Sequence, residues 1–398
     1  MSAVEAAASA AAGAAAETPK TLRILGTRGI PAAHGGFETF AEQLALHLVQ
    51  RGWRVTVYCQ EEGSGPAVQD EWQGVQRVRI PVPQPGPRGT IVFDWKSMQH
   101  AAAAGELCLT LGYNTAVFCV LLRLRGVPNI INMDGIEWRR DKWGALAKAW
   151  FWLNEQAGCR LGNHLVADHP EIAHHLARNV SGSKISTIAY GADALVGLND
   201  SPVRALGLEP GRYLTLIARP EPENSVLEVV QAFSRRRRGC VLAVLGAYSA
   251  SSSYHRAVRG AASDEVRFLG AIYDKPLLHA LRLHCSVYVH GHRVGGTNPS
   301  LVEALGAGNA VLAHDNRFNR WVAGDAARYF EGADGCAAAL DALLEDAATL
   351  QALRVASQRR FEQAFTWPLI LQQYETLLEG WLPGAAGGAA GGAADFSA

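Results

Sequence analysis

Short apolar runs rich in β-branched residues alternate with amphipathic stretches along most of the chain. In the first half these runs predict strands at TLRILG, WRVTVYC, VQRVRIPV, LCLTLG, NIINMDG and HLVADHP. In the second half the series starts again with RYLTLIAR, CVLAVLGAY, VRFLGAI, SVYVHGH and AVLAHD. Strands that alternate with helices are typical of parallel sheets covered by helices. The pattern therefore predicts an α/β protein with two similar halves that face each other across a cleft.

The sequence defines one helix clearly, because apolar residues recur at helical spacing from Phe37 to Gln50. Its predicted inner face consists of Phe37, Phe40, Ala41, Leu44, Ala45 and Leu48. Gly52 is suited to end this helix. The halves are joined by AYGADALVGLNDSPVRALGLEPG, whose turn residues predict a linker near Asn199.

Composition narrows the class of protein. Of the 398 residues 48% are hydrophobic and 19% are charged, which is enough apolar material for a sizeable core. The 37 basic residues equal the 37 acidic ones, whereas proteins that bind nucleic acid carry a basic excess, so we expect no nucleic acid partner. Seven scattered cysteines without a CxxC motif indicate reduced thiols in a cytoplasmic protein. No apolar run approaches the roughly 18 to 20 residues of a membrane span.

The segment from Val289 to Gly308 carries the clearest chemical signal: a strand, a double glycine and then a helix start. Asn298 can cap that helix, and Pro299 fits its first turn, where a missing N–H costs nothing. The glycine pair lets backbone approach a ligand closely, and the free N–H groups of a helix start attract an anion. This pattern predicts a diphosphate site.

Glu303 lies about one turn inside the same helix. Its carboxylate can accept a hydrogen bond from a sugar hydroxyl, which together with the diphosphate site suits a nucleotide sugar. Alternatively, Ser300-x-x-Glu303 is a capping box. The donor-binding residues predicted in this segment are Gly295, Gly296, Thr297, Asn298, Ser300, Leu301 and Glu303.

A long loop from Gly26 to Glu38 follows the first strand and contains two glycine pairs. Its backbone N–H groups can meet a phosphate or an acceptor hydroxyl. The loop is not GxGxxG and lacks the ribose-binding acid, which counts against an NAD-dependent dehydrogenase. Alternatively, the glycines serve only the geometry of a strand-to-helix turn. We assign Gly35 and Gly36 to the donor, and Thr27, Phe37 and Glu38 to the acceptor.

A charged segment, NMDGIEWRRDKW, continues from the predicted strand run NIINMDG. Asp134 can orient or deprotonate an acceptor hydroxyl. Glu137, Arg139 and Arg140 can grip a polar or anionic acceptor. Alternatively, Asp134 caps a turn with Gly135 and the charges form a solvated face. We assign Asp134 to catalysis, and Glu137 and Arg139 to the acceptor.

Arg219 closes the first strand of the second half, where its guanidinium can neutralise a departing diphosphate. An ion pair with Glu221 or Glu223 is the alternative. Asn224 follows on the next loop. We assign Arg219 to catalysis and donor binding, and Asn224 to donor binding.

Further candidates follow other strands. Gly246 and Tyr248 end the next strand, and the tyrosine can stack on a base or be an ordinary half-buried side chain. His290 and His292 lack companion ligands at metal-binding spacing, so we expect no metal and place them at the cleft. The aromatic run Trp143, Trp150, Phe151 and Trp152 can touch a membrane surface, although core packing is the favoured interpretation.

Four phrases in order, GTRGIPAAHGGFETFAEQLA, MDGIEWRRDKW, ARPEPEN and HGHRVGGTNPSLVEALGAG, resemble the family-4 retaining glycosyltransferases of GT-B fold. The resemblance spans about Leu22 to Leu382 and looks closest to the bacterial rhamnosyltransferase-like subgroup. It implies two Rossmann-like domains and sugar transfer with retention and without a metal. Arg219 matches the family's phosphate-binding arginine, and Glu303 matches the second glutamate of its E-x7-E motif.

Three positions depart from the family pattern. Gly295 occupies the place of the first glutamate, and Asn224 stands where most members carry a phosphate-gripping lysine. Asp134 stands where many relatives have a histidine. These departures look typical of the rhamnosyltransferase-like subgroup.

With the resemblance, the predicted domains are a disordered Ala-rich tail at 1–18, an N-terminal acceptor-binding Rossmann-like domain at 19–198, a C-terminal nucleotide-sugar-binding Rossmann-like domain at 199–365, a crossover helix at 366–383 and a disordered tail at 384–398.

We expect a hexosyltransferase that moves L-rhamnose from dTDP-rhamnose to a saccharide or lipid-linked acceptor in cell-surface or exopolysaccharide biosynthesis. A UDP- or GDP-sugar is the alternative donor, and no cofactor is expected. The protein would work in the cytoplasm at the inner face of the membrane, with peripheral membrane contact. Two other functions stay open: a non-catalytic scaffold that binds nucleotide sugars, and a nucleotide-sugar epimerase.

Overall fold

A computed structural model describes residues 19–33, 35–84 and 86–383. The predicted tails at 1–18 and 384–398 lie outside the described residues. The described chain forms two mainly parallel β-sheets, one in each half, and apolar clusters bury both faces of each sheet. This confirms the predicted α/β fold with two parallel-sheet domains. None of the described helices is long and apolar enough to cross a membrane.

The first sheet has eight strands in the order β3-β4-β2-β1-β5-β6-β7-β8. All neighbours run parallel except β3, which pairs antiparallel with β4 at one edge. Six strands correspond to the predicted runs, whereas β3 and β8 were not predicted. The strands are β1 (Thr21–Leu25), β2 (Arg54–Glu62), β3 (Val68–Trp72), β4 (Val75–Val82), β5 (Cys108–Leu111), β6 (Asn129–Asn132), β7 (His164–Ala167) and β8 (Ile185–Thr187).

The second sheet has six parallel strands in the order β11-β10-β9-β12-β13-β14. Five of them correspond to the predicted runs, and β14 is additional. The strands are β9 (Tyr213–Ile217), β10 (Val241–Leu245), β11 (Val266–Gly270), β12 (Val287–His290), β13 (Ala310–His314) and β14 (Ala327–Phe330).

Helices connect most successive strands, as parallel pairing requires. The predicted helix at 37–50 is α1, which begins one residue earlier and buries all of the predicted face except the half-buried Phe37. The helices are α1 (Gly36–Gln50), α2 (Pro87–Ala104), α3 (Val120–Leu124), α4 (Ala145–Leu161), α5 (Pro170–Leu176), α6 (Ser201–Ala205), α7 (Val226–Ser234), α8 (Ser253–Gly260), α9 (Lys275–Leu283), α10 (Pro299–Gly306), α11 (Arg317–Ala323), α12 (Gly332–Glu345), α13 (Ala347–Ala364) and α14 (Trp367–Glu379).

The last helix, α14, lies against the first half although it follows the second. The Tyr374 ring packs on Phe40 with centroids 4.6 Å apart, and its hydroxyl accepts a hydrogen bond from Asn132 Nδ2 at 2.8 Å. Where the chain returns, the Ala192 N–H donates to the Phe365 carbonyl at 2.9 Å. The chain therefore passes between the halves twice, at two segments that lie side by side.

Candidate functional site

One cavity of about 930 Å³ lies between the two halves, at the carboxyl ends of both parallel sheets. Loops after β6 and β7 form its wall on the first half, and loops after β9, β10 and β12 form the wall on the second. Ligands of open parallel sheets bind at this end of the strands. The predicted residues that line it are Gly36, Phe37, Asp134, Glu137, Arg139, Arg219, Gly246, Gly295, Gly296, Thr297, Asn298, Ser300 and Glu303.

The segment after β12 folds as its local sequence predicts. The Asn298 side chain accepts the Ser300 N–H at 3.1 Å, and Pro299 occupies the first turn of α10. Gly295 adopts a φ of 142°, which side chains rarely tolerate. The start of α10 therefore faces the cavity with its predicted cap in place.

Glu303 forms an ion pair with Arg282, a residue of α9. The Arg282 side chain is only 5% exposed, while the Glu303 side chain is 34% exposed and lines the cavity. The cap of α10 is Asn298, so Glu303 is held by an arginine instead of by a capping box. This arrangement fixes the carboxylate beside the helix start.

Arg219 lines the cavity just beyond the end of β9. The suggested ion pair with Glu223 is not formed, because Glu223 accepts from Arg140 Nε at 3.0 Å. The Arg140 contact joins the two halves across the cavity. Asn224 is 2% exposed and donates through Nδ2 to the Arg219 carbonyl at 2.8 Å. Its amide therefore braces the loop that carries Arg219 and does not line the cavity.

The segment after β6 in the first half faces the loop between β12 and α10 in the second half. A Cβ placed on Gly135 would lie 4.0 Å from Gly295. Asp134 has a φ of 51°, and its N–H donates to Asn132 Oδ1 at 3.0 Å. Burial raises the pKa of the Asp134 carboxyl, and the negative charge of Glu137 raises it further. A carboxyl poised in this way suits proton transfer.

Glu137 is part of a polar network in the same segment. Its carboxylate accepts from Arg140 Nη1 at 2.7 Å and from the Trp143 indole N–H at 3.1 Å. The exposed Arg139 guanidinium lies 5.0 Å from the Trp138 ring centroid. The network orders the rim of the cavity on the first half.

The glycine loop brings Gly36 close to α10, since a Cβ on Gly36 would lie 3.4 Å from Pro299. Gly35 precedes α1 as its N-cap. Thr27 and Glu38 do not line the cavity, because both are buried and accept backbone N–H groups of their own loop, from Gly29 and Arg28 respectively. These two side chains shape the loop.

Two further assigned side chains lie away from the cavity wall. Leu301 is fully buried in the core beneath α10. The Tyr248 ring packs edge-on against Phe268 and His255, with centroids 5.0 and 5.5 Å away. Tyr248 is therefore a half-buried packing residue here, which was the alternative considered for it.

Sequence inspection missed Asp168, which follows β7 and lines the cavity. The search for polar residues after each strand could have found it in HLVADHP. Arg282 was also missed, because its role depends on a partner from another helix. Both residues contact the segment 296–303.

The rings of His290 and His292 stack with centroids 4.4 Å apart; His292 lines the cavity as predicted, whereas His290 is 1% exposed and does not. Burial lowers the pKa of both imidazoles, that of His292 to about 3. In the described part of the chain, no three His, Cys, Asp or Glu side chains are grouped to hold a metal ion.

The neutral histidines predict acid sensitivity. Below about pH 6.5 the unfolded chain binds protons that the folded protein excludes, so the free energy of unfolding should fall as the pH falls. His292→Gln should reduce this loss by about 1–2 kcal/mol between pH 7 and 5, measured by urea denaturation. The exposed His174→Gln is the control. The prediction would be contradicted if the free energy of unfolding fell equally with pH in wild type and in His292→Gln.

Comparison with known proteins shows what the chain is similar to. Residues 19–193 match the family model described as Domain of unknown function (DUF1972). No curated protein matches the sequence.

Solved structures that are similar cover almost the whole described chain. Sucrose-phosphate synthase from Thermosynechococcus elongatus has a TM-score of 0.77 and 18% identity, over 90% of this chain and 98% of that one. Anabaena HepE in complex with UDP and glucose has a TM-score of 0.71 and 15% identity, over 91% and 99%. An α,α-trehalose-phosphate synthase (UDP-forming) from Burkholderia xenovorans, in complex with glucose-6-phosphate, has a TM-score of 0.70 and 14% identity, over 90% of this chain and 99% of that one. These neighbours are GT-B glycosyltransferases, and the chain therefore has the GT-B fold.

Proposed function

We propose that the protein is a glycosyltransferase that moves a sugar from a nucleotide sugar to a saccharide or lipid-linked acceptor. The observation that carries this proposal is the convergence of Arg219, the capped start of α10 and Glu303 on one cavity between the halves. An arginine and a helix start can bind a diphosphate, and Glu303 can bind a hydroxyl. HepE, which shares the fold, was solved with UDP and glucose.

The proposed mechanism is electrostatic. As the sugar leaves, negative charge grows on the diphosphate, where Arg219 and the N–H groups at the start of α10 would stabilise it. Asp134 would orient or deprotonate the acceptor hydroxyl from the first half. The resemblance to family-4 enzymes supports retention of configuration and a reaction without a metal.

The proposed donor is dTDP-rhamnose, and the proposed pathway builds a cell-surface or exopolysaccharide. Support comes from Gly295, which places no carboxylate where the family's first glutamate stands. A 6-deoxy sugar has one hydroxyl fewer to satisfy, which is consistent with this change. UDP- and GDP-sugars are the donors to compare.

A thermal-shift panel of nucleotide sugars, followed by transfer assays, tests the function. A ligand that binds only the folded state raises the melting temperature, so the true donor should give the largest shift. Product formed from donor alone would indicate an epimerase instead. Binding without transfer to any acceptor would indicate a scaffold. Failure of every nucleotide sugar to stabilise the protein would exclude the proposal.

We also propose that the first half touches an anionic membrane. Leu146, Trp150 and Leu153 share one face of α4 and are 90%, 37% and 48% exposed. Exposed Ile91 and Trp95 add apolar surface on α2. Trp150 is therefore a partly exposed residue, although the sequence favoured core packing for it.

The charges of the same region support a membrane partner. The two acids of α2 and α4, Asp94 and Glu155, are both buried. The basic residues of α2, α3 and α4 include Arg88, Arg123 and Arg160, all of which are exposed. An apolar face rimmed by basic residues fits an anionic bilayer.

Trp150→Ser combined with Leu153→Ser should weaken binding to phosphatidylglycerol-rich vesicles about tenfold. The reason is that serine buries less apolar surface in the bilayer than tryptophan or leucine does. Co-sedimentation measures the binding. Val355→Ser, at an exposed position on α13, is the control. Unchanged sedimentation of the double variant would refute membrane contact through this face.

A further inference from the structure

Asp168 connects the first half directly to the donor loop of the second half, which is the segment 291–298 between β12 and α10. It follows β7, and its Oδ2 accepts the Thr297 N–H at 2.9 Å. The Thr297 hydroxyl donates to the Asp168 carbonyl. One carboxyl oxygen is therefore committed to holding the loop just before α10.

The second carboxyl oxygen has no such role. Asp168 Oδ1 is buried and has no hydrogen-bond partner among the described residues. A Cβ placed on Gly296 would lie 2.1 Å from this atom, so only glycine leaves room for it. A buried acceptor without a partner is costly, and such atoms are rare in folded proteins. Asp168 also lines the cavity, so this unpartnered oxygen belongs to a side chain of the cavity wall.

The Asp168 carboxyl has a pKa close to neutral pH. Burial raises the pKa of its carboxyl to about 7, with the charge of Asp134 contributing to the increase. The group can thus gain or lose a proton in response to a bound hydroxyl. The geometry of Oδ1 and Gly296 carries the inference, and this balance supplies a way to test it.

The donor loop itself offers no carboxylate. The stretch from Gly291 to Asn298 contains neither Asp nor Glu. Glu303 lies beyond the helix start and is paired with Arg282. With a diphosphate at the start of α10, the attached sugar would lie between this loop and the first half. Among the described residues, Asp168 is a carboxyl of the first half that hydrogen-bonds to this loop.

We propose that Asp168 is a sugar-binding residue: its Oδ1 accepts a hydroxyl of the transferred sugar while its Oδ2 holds the donor loop. This assignment rests on the proposed function. It makes Asp168 a determinant of sugar specificity that the first half supplies to the donor site. The competing explanation is a purely structural tether through Thr297.

Affinities for a nucleoside diphosphate and for its nucleotide sugar separate the two roles. Calorimetry on full-length wild type, Asp168→Asn and Asp168→Ala would use the donor that stabilises most in the panel and its free nucleotide. We expect nucleotide affinity to change less than threefold, and nucleotide-sugar affinity to fall about tenfold or more in Asp168→Ala. Asp200→Asn, at a partly exposed position outside the cavity, should change neither affinity.

The pH dependence adds a readout that a tether would not give. The ratio of nucleotide-sugar to nucleotide affinity in wild type, divided by the same ratio in Asp168→Asn, should rise between pH 6 and 8, because the ionised carboxyl is the stronger acceptor. The division cancels the titration of the terminal phosphate of the free nucleotide, which falls in the same range, and the amide of Asp168→Asn does not titrate there. Retained nucleotide affinity in each variant also shows that it is folded.

Each other outcome overturns the assignment. Equal losses of nucleotide and nucleotide-sugar affinity would mean that Asp168 is only a tether. Unchanged nucleotide-sugar affinity would mean that Oδ1 does not touch the sugar. If wild type bound no nucleotide at all, the proposed function would fail, and this assignment would fall with it.

Discussion

Arg219→Ala is expected to lower kcat/KM for sugar transfer by about 10²–10³-fold while the protein stays folded. The guanidinium lines the cavity just past the end of β9, where it would face the departing diphosphate. Its carboxylate neighbour Glu223 is already paired with Arg140, so removing Arg219 should break no ion pair with Glu223. Initial rates with the best donor and a melting curve measure the two effects.

Two companion variants sharpen this test. Arg219→Lys keeps the charge but loses the two-pronged geometry of the guanidinium, so it should recover part of the lost rate. Arg212→Ala removes an exposed arginine just before β9 and should transfer sugar at the wild-type rate. Turnover of Arg219→Ala equal to that of Arg212→Ala would remove Arg219 from the mechanism.

Glu303→Ala is expected to lower the free energy of unfolding by about 2–3 kcal/mol in addition to reducing transfer. The reason is Arg282, whose side chain is 5% exposed and would lose its ion-pair partner. An uncompensated buried charge costs more than the ion pair itself contributes. Urea denaturation gives the stability, and saturation kinetics give kcat and KM.

The double variant Glu303→Ala with Arg282→Met separates stability from function. Removing both charges should restore much of the lost stability, whereas transfer should stay low because the cavity still lacks the Glu303 carboxylate. Glu345→Ala, which breaks the exposed ion pair with Arg236, should cost at most about 0.5 kcal/mol. If the double variant regained full activity, Glu303 would have no part in donor binding.

Strands with continuous apolar runs were predictable because burial on both faces leaves a strong local signal. The missed strands lack that signal. β3 reads VQDEW and pairs at the edge of its sheet, where only one neighbour is needed. β8 has three half-buried residues, and β14 reads ARYF, with an exposed Arg328 that interrupts its apolar residues. Their pairing is set by the sheets and not by their own sequences.

The candidate site also combines local features, which the sequence predicts, with contacts between distant residues, which it does not. The cap and proline of α10 were predictable because they act within a few residues of one another. The contact of Asp168 with Thr297 joins residues 129 positions apart, and the pair of Arg282 with Glu303 joins two helices. No local pattern announces such contacts. The shielded amide of Asn224 was beyond sequence reasoning for the same reason.

The paired crossings near Ala192 and Phe365 have a mechanical consequence. Two adjacent backbone segments, tied by a hydrogen bond of 2.9 Å, are the places where a hinge between the halves would bend. A hinge of two side-by-side crossings would bend most easily about the line that joins them. If the two halves opened about this line, Asp168 and Thr297 would separate, and closing would bring them back into the same hydrogen bond.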